Sequence, residues 1–157
     1  MTEKLEFKYR GARALVMMHE EALRQFVFAW REARAAGVIL PKVDRPDYAS
    51  YDALLEHALR WSRTYVTWAC EQLGIAEPGI RPAPAVEAVA VECNDYLEHL
   101  LDGWRGALCD VEKDRFFDDT YPAPWGTPYC IDAMLEHAVM HPVRHRFQLQ
   151  ELAGNRA

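Results

Sequence analysis

At 157 residues, 50% hydrophobic and 27% charged, the chain has the size and composition of one folded domain, residues 1–157, and lacks the polar bias of a disordered segment. A formal net charge of −6, with no stripe of lysine and arginine, argues against nucleic acid as a partner. No stretch nears the ~20 apolar residues of a membrane span and residues 1–10 hold no signal-like apolar run, so the sequence predicts a cytoplasmic protein with no membrane partner.

Over 11–36, apolar residues recur at Leu15, Met18, Ala22, Phe26, Ala29 and Ala33, the three-four spacing of a helix with one buried stripe, closed by Gly37. Phe28 and Trp30 fall off that stripe; the helix has either a wide buried face or apolar surface for a partner, and homodimerisation is one explanation. Residues 38–49, with Pro41 and Pro46, read as a loop, and Ser50 is the expected N-cap of helix two. That helix places Leu54, Leu55, Ala58, Trp61 or Ser62, Tyr65, Ala69 and Leu73 on its core stripe and stops at Gly74.

Residues 74–85 contain Pro78, Pro82 and Pro84; extended at ~3.3 Å per residue they reach roughly 35–40 Å, enough to cross a bundle. Helix three is expected over 85–109, with Val86, Val89, Cys93, Leu97, Leu100, Trp104 and Leu108 in near-heptad spacing. The loop 110–126 holds Phe116, Phe117, Tyr121 and Trp125, too much aromatic surface to leave in water, and is expected to fold over one end of the bundle. Thr127 and Pro128 suit the N-cap and first position of helix four, which runs to Ala153. No regular strand pattern occurs, so the fold class is all-α, a four-helix bundle. The four cysteines, Cys70, Cys93, Cys109 and Cys130, form no C-x-x-C pair and read as small apolar residues in or beside helices.

Chemistry concentrates on helix four, where His137, His141 and His145 recur every fourth residue. Residues four apart on a helix differ by ~40° in direction and ~6 Å in height, so two such imidazoles can share one metal ion. The core stripe Ile131, Met134, Ala138, His141, His145, Leu149 and Leu152 gives His141 and His145 positions that leucine would ordinarily take. A buried imidazole left without partners costs on the order of 1–3 kcal/mol, which a metal ion relieves. Pro142, between them, removes the hydrogen bond to Ala138 and is expected to kink the helix, either tuning this pair or favouring His137 with His141. A third ligand must come from another helix, from His19, His57 or His99. His57 lies ~9 Å from the start of helix two and His145 ~12 Å from the end of helix four, level only if those helices are antiparallel. A crossover at the proline-rich link, between helices two and three, makes them so.

Two segments carry a family resemblance: Ser50-Tyr51-Asp52-Ala53-Leu54-Leu55-Glu56-His57 on helix two and the His-x-x-x-His-Arg-x-Gln ending of helix four at 141–148. The chain resembles the DinB/YfiT-like metalloenzyme family over most of its length. The resemblance implies a four-helix bundle with an up-down-down-up course and a divalent metal ion (Zn, Ni or Mn) on His57, His141 and His145. It departs from the family pattern at Pro142, often acidic there, and at Phe147, often glycine. Three neutral imidazoles leave an ion its full charge and an open position for an anion. The resemblance implies transfer of a low-molecular-weight thiol to a small-molecule substrate; metal-dependent hydrolysis is the alternative, and a non-enzymatic dimeric helical protein with a structural or sensing metal is a third possibility. Glu56 and Glu136 each precede a histidine and point ~100° away from it, onto solvated faces. His137 is a candidate supporting group beside the ligands, Trp61, one turn from His57, a candidate wall of the pocket, and His19 and His99 are assigned structural or surface roles.

Overall fold

The computed structural model describes residues 6–154. Four long helices, α1 (Arg10–Ala35), α2 (Tyr51–Leu73), α3 (Val86–Ala107) and α4 (Ile131–Gly154), account for most of them. They are joined by two short 3-10 turns, Pro46–Tyr48 and Lys113–Phe116, and by a minimal hairpin of β1 (Tyr121–Pro122) and β2 (Pro128–Tyr129). The buried apolar side chains of all four helices form one cluster, with Phe26, Leu55, Tyr65, Leu100, Trp104 and Met134 at its centre.

Local chemistry explains most of the boundaries. The Ser50 hydroxyl accepts from the amide of Ala53 at 3.0 Å, capping α2. Gly74 takes a left-handed conformation (φ 65°) that ends the same helix without a Cβ penalty. After it the link turns back along α3: Ile80 packs against Gly103, the Ile80 carbonyl accepts from Arg63 Nε at 2.8 Å, and the Arg81 amide donates to His99 Nε2 at 3.0 Å.

Three expectations are corrected. On α1 the buried face is wider than the expected stripe: Ala22, Phe26, Ala29 and Ala33 are buried as expected and Ala12, Val16, His19, Leu23, Val27 and Trp30 join them, whereas Met18 is 53% exposed and Leu15 only half-buried. Trp30, expected off the stripe, turns inward, where its indole donates to the Tyr51 carbonyl at 2.6 Å, while Phe28 stays outside, 66% exposed. Helix four starts later than Thr127 and Pro128: Pro128 faces Pro122 in the hairpin ladder, closed by Gly126 at φ 94°. Cys130 then takes the capping place, its thiol accepting from the Ala133 amide at 3.5 Å. The aromatic loop, finally, contains that hairpin where no strand is expected. The Pro122 carbonyl ties it to α2 through Trp68 Nε1 at 3.0 Å, and Phe116 is fully buried, with its ring 4.9 Å from that of Tyr9.

Candidate metal centre

Three side chains from two helices meet at one point. His57 Nε2 on α2 lies 3.0 Å from His141 Nε2 on α4, and His145 Nε2, one turn further, lies 3.2 Å from the same atom. All three ligating atoms fall within 4.8 Å of one another. Around one ion with metal–nitrogen distances of ~2.0–2.1 Å, adjacent nitrogens stand ~2.9 Å apart in an octahedron and ~3.3 Å apart in a tetrahedron. Hydrogen bonding alone serves the trio poorly, because His141 Nε2 faces both others and one shared proton would be divided between two acceptors. The cluster is able to hold a metal ion.

The protonation states fit. Burial pushes His57 down to about 4 and His141 down to about 2, and the neighbouring imidazoles add to both shifts. Burial also lowers His145, against the opposing pull of Asp47. All three are therefore neutral at physiological pH, the form that carries a lone pair for a cation. His145 is held most firmly. Its Nδ1 lies 3.1 Å from both Gln148 Oε1 and the Tyr48 hydroxyl, and that hydroxyl also donates to Gln148 Oε1. The amide oxygen accepts both donors, which puts the ring proton on Nδ1 and leaves Nε2 bare.

The loop before α2 supplies further groups. Asp47, only 8% exposed, stands with Oδ2 at 3.9 Å from His57 Nε2, and Arg45 closes on its carboxylate at 2.8 Å. Burial, the largest single effect, pushes the Asp47 pKa up, but the Arg45 hydrogen bond, the backbone bond and the neighbouring positive charge together outweigh it and the net shift is downward. The histidines open into a cleft of about 210 Å³ walled by Trp61, Tyr65, Trp125 and His137, with Arg45 and Arg144 also lining it. Trp125, from the loop between β1 and β2, lies with its ring 4.7 Å from that of His137 and 6.0 Å from that of Trp61. A larger groove of about 630 Å³, lined by Leu73, Ile75 and Gly106 among others, contains no histidine.

The structure thus brings together His57, His141 and His145, places His137 and Trp61 on the cleft wall, and keeps two other histidines away. His19 is fully buried, stacked 4.0 Å over Trp104 and bonded to the Ser62 hydroxyl at 2.9 Å. His99 receives the Arg81 amide. Glu56 pairs with Arg60 at 2.9 Å and is absent from the cleft lining, as is Glu136. Helix α4 runs unbroken through Pro142, and the proline leaves the pairing of His141 with His145 intact. Asp47, Tyr48 and Arg144 carry no spacing signal, and Tyr65 and Trp125 read only as a core-stripe residue and a loop aromatic. Gln148 could have been marked, since it stands one turn after His145. No protein-family model, curated protein or solved structure matches the chain.

Proposed function

We propose that the protein is a divalent-metal-dependent enzyme of the DinB/YfiT-like type, with His57, His141 and His145 as ligands, that transfers a low-molecular-weight thiol to a small electrophilic substrate. The observation that carries this reading is the convergence of three neutral Nε2 atoms at 3.0 and 3.2 Å. The up-down-down-up course belongs to it, and side-chain contacts support that course. Along α1, Glu20 and Arg24 meet Arg105 and Glu98 of α3 in descending order, the pattern of antiparallel helices. Tyr65 and His57 of α2 likewise meet His137 and His141 of α4 in opposite order.

Bound there, a divalent ion lowers the pKa of a thiol or water it holds far enough for ionisation at neutral pH. The chain's own residues do the rest. Gln148 and Tyr48 fix His145, Trp61 and Trp125 shield the cleft, and His137, half-buried at its wall, can take up the released proton. With three protein ligands in the cluster, the site resembles reactive centres more than structural ones, which are closed by four. Metal-dependent hydrolysis is the second reading, favoured by the Asp47 carboxylate, which stands 3.9 Å from His57 Nε2 behind the cleft wall and would need to part from Arg45 to accept a proton from water. Homodimerisation belongs to the first, with exposed Phe28 as its contact; sedimentation equilibrium giving an 18.1 kDa monomer would remove it.

Metal analysis tests the site. After supplementation with Zn, Ni and Mn, the wild type should retain about one ion per chain and His141→Ala should retain none. Absence of metal from both would end the proposal. For the reaction, mass spectrometry should detect a thiol–electrophile conjugate formed by the metal-loaded protein and not by the chelated one.

A further inference from the structure

The cleft in front of the histidines has a charge pattern opposite to that of the chain. The protein carries a net −6, yet among the described residues no aspartate or glutamate lines this cleft, while Arg45 and Arg144 both do. The two arginines are not equivalent. Arg45 is committed to Asp47, with bonds at 2.8 and 3.2 Å, so their charges cancel beside His57. Arg144, on α4 between His141 and His145, is solvent-exposed and has no carboxylate partner among the described residues.

Its guanidinium is close enough for its charge to bear on His137, His141 and Tyr65 together. His137, His141, Arg144 and Gln148 follow one another at four-three-four spacing, which sets them along one face of α4. The cleft holds about 210 Å³, less than the ~300–1,000 Å³ of sites for drug-sized ligands, so its occupant is small. A planar guanidinium fork beside a small aromatic-walled cleft matches a carboxylate in geometry as well as charge.

Resting on the metal-site and thiol reading above, we infer that the small thiol used here carries a carboxylate, which Arg144 binds at the mouth of the cleft while the sulfur end points toward His57, His141 and His145. Arg144 is a binding residue of the site. It selects acidic thiols over neutral ones of the same length, and Trp61 and Trp125 limit that length.

Cobalt(II) serves as the probe, its visible d–d spectrum reporting ligands at the metal without any turnover. The full chain, loaded with Co(II), is titrated with 3-mercaptopropionate and with neutral 2-mercaptoethanol, and the series is repeated for Arg144→Gln and Arg144→Lys. The wild type should bind the acidic thiol about five- to tenfold more tightly, the range expected for one partly exposed charge-assisted pair. Arg144→Gln should abolish that preference, read as the ratio of the two thiol affinities so that any common change in cobalt or thiolate binding cancels, and Arg144→Lys should keep part of it. Equal affinities in the wild type, or a preference that survives Arg144→Gln, would overturn the inference while leaving the metal site standing. If cobalt binds but neither thiol perturbs its spectrum, the thiol reading fails and this inference fails with it. If cobalt does not bind the wild type, the metal site itself fails.

Discussion

Gln148 and Tyr48 decide which nitrogen of His145 is free to meet a cation, because the amide oxygen accepts both the ring proton on Nδ1 and the phenol. Supporting partners of this kind typically contribute 10–100-fold to metal affinity. Gln148→Leu should therefore weaken zinc binding by about that factor in a competition titration, with helix content by circular dichroism unchanged; an unaltered affinity would remove Gln148 from the site. His141 and His145 were legible in the sequence, since a histidine at a core position announces itself against a leucine pattern, whereas His57, off the core stripe of its helix, came from the family resemblance. Their supports were not legible. Asp47 and Tyr48 sit in a loop that carries no periodicity, and loops show their chemistry only once folded against a scaffold. The same holds for Trp125, which reaches His137 only because Gly126 turns the hairpin.

At the scale of elements, α2 follows its sequence pattern because cap, stripe and stop agree, and α3 follows its near-heptad stripe without a side-chain cap. Ser50 and Gly74 do for α2 what their chemistry predicts. Helix α1 buries more than its expected stripe because a tryptophan that can bury its ring and still satisfy its N–H widens the face that Ala22, Phe26, Ala29 and Ala33 form. The start of α4 was misplaced for a related reason: a proline fits the first turn of a helix and the end of a short strand alike, and the hairpin won.

The link between α2 and α3 gives a sharp test of packing. A Cβ built on Gly103 would lie 2.4 Å from Ile80 Cγ1, whereas one on Gly106 meets nothing within 4 Å. Gly103→Ala should lower stability by roughly 1–3 kcal/mol through overpacking, while Gly106→Ala, in the same helix, should raise it by about 0.5–1 kcal/mol. Urea unfolding of the two variants separates these signs, and equal effects would mean that the link does not press on α3.

For the whole molecule, acid sensitivity follows from buried neutral histidines. His19, fully enclosed between Trp104 and Ser62, is pushed by burial down to about 3, against an ordinary value of 6.5. Above pH 6.5 it is neutral in both the folded and the unfolded chain and stability is unaffected. Below 6.5 the unfolded chain takes up a proton that the folded one refuses, so stability is lost progressively as the pH falls toward 3. One such group contributes a slope of about 1.4 kcal/mol per pH unit. In metal-free protein, His19→Leu should flatten the pH dependence of the unfolding free energy from urea titrations between pH 6.5 and 4 by about that amount; identical slopes would contradict the assignment.

Four helices gathered around one apolar cluster were readable from periodicity and breakers. The point where two of them bring three imidazoles together was readable in part: the core stripe marked His141 and His145, and the family resemblance supplied His57. That point is the centre of the account. Anomalous diffraction from crystals of the zinc-loaded protein, recorded on both sides of the zinc edge, tests it most directly. The prediction is one anomalous peak bonded to Nε2 of His57, His141 and His145, with at least one further position taken by a non-protein ligand. A crystal without the peak, or with zinc held by other residues, would contradict it.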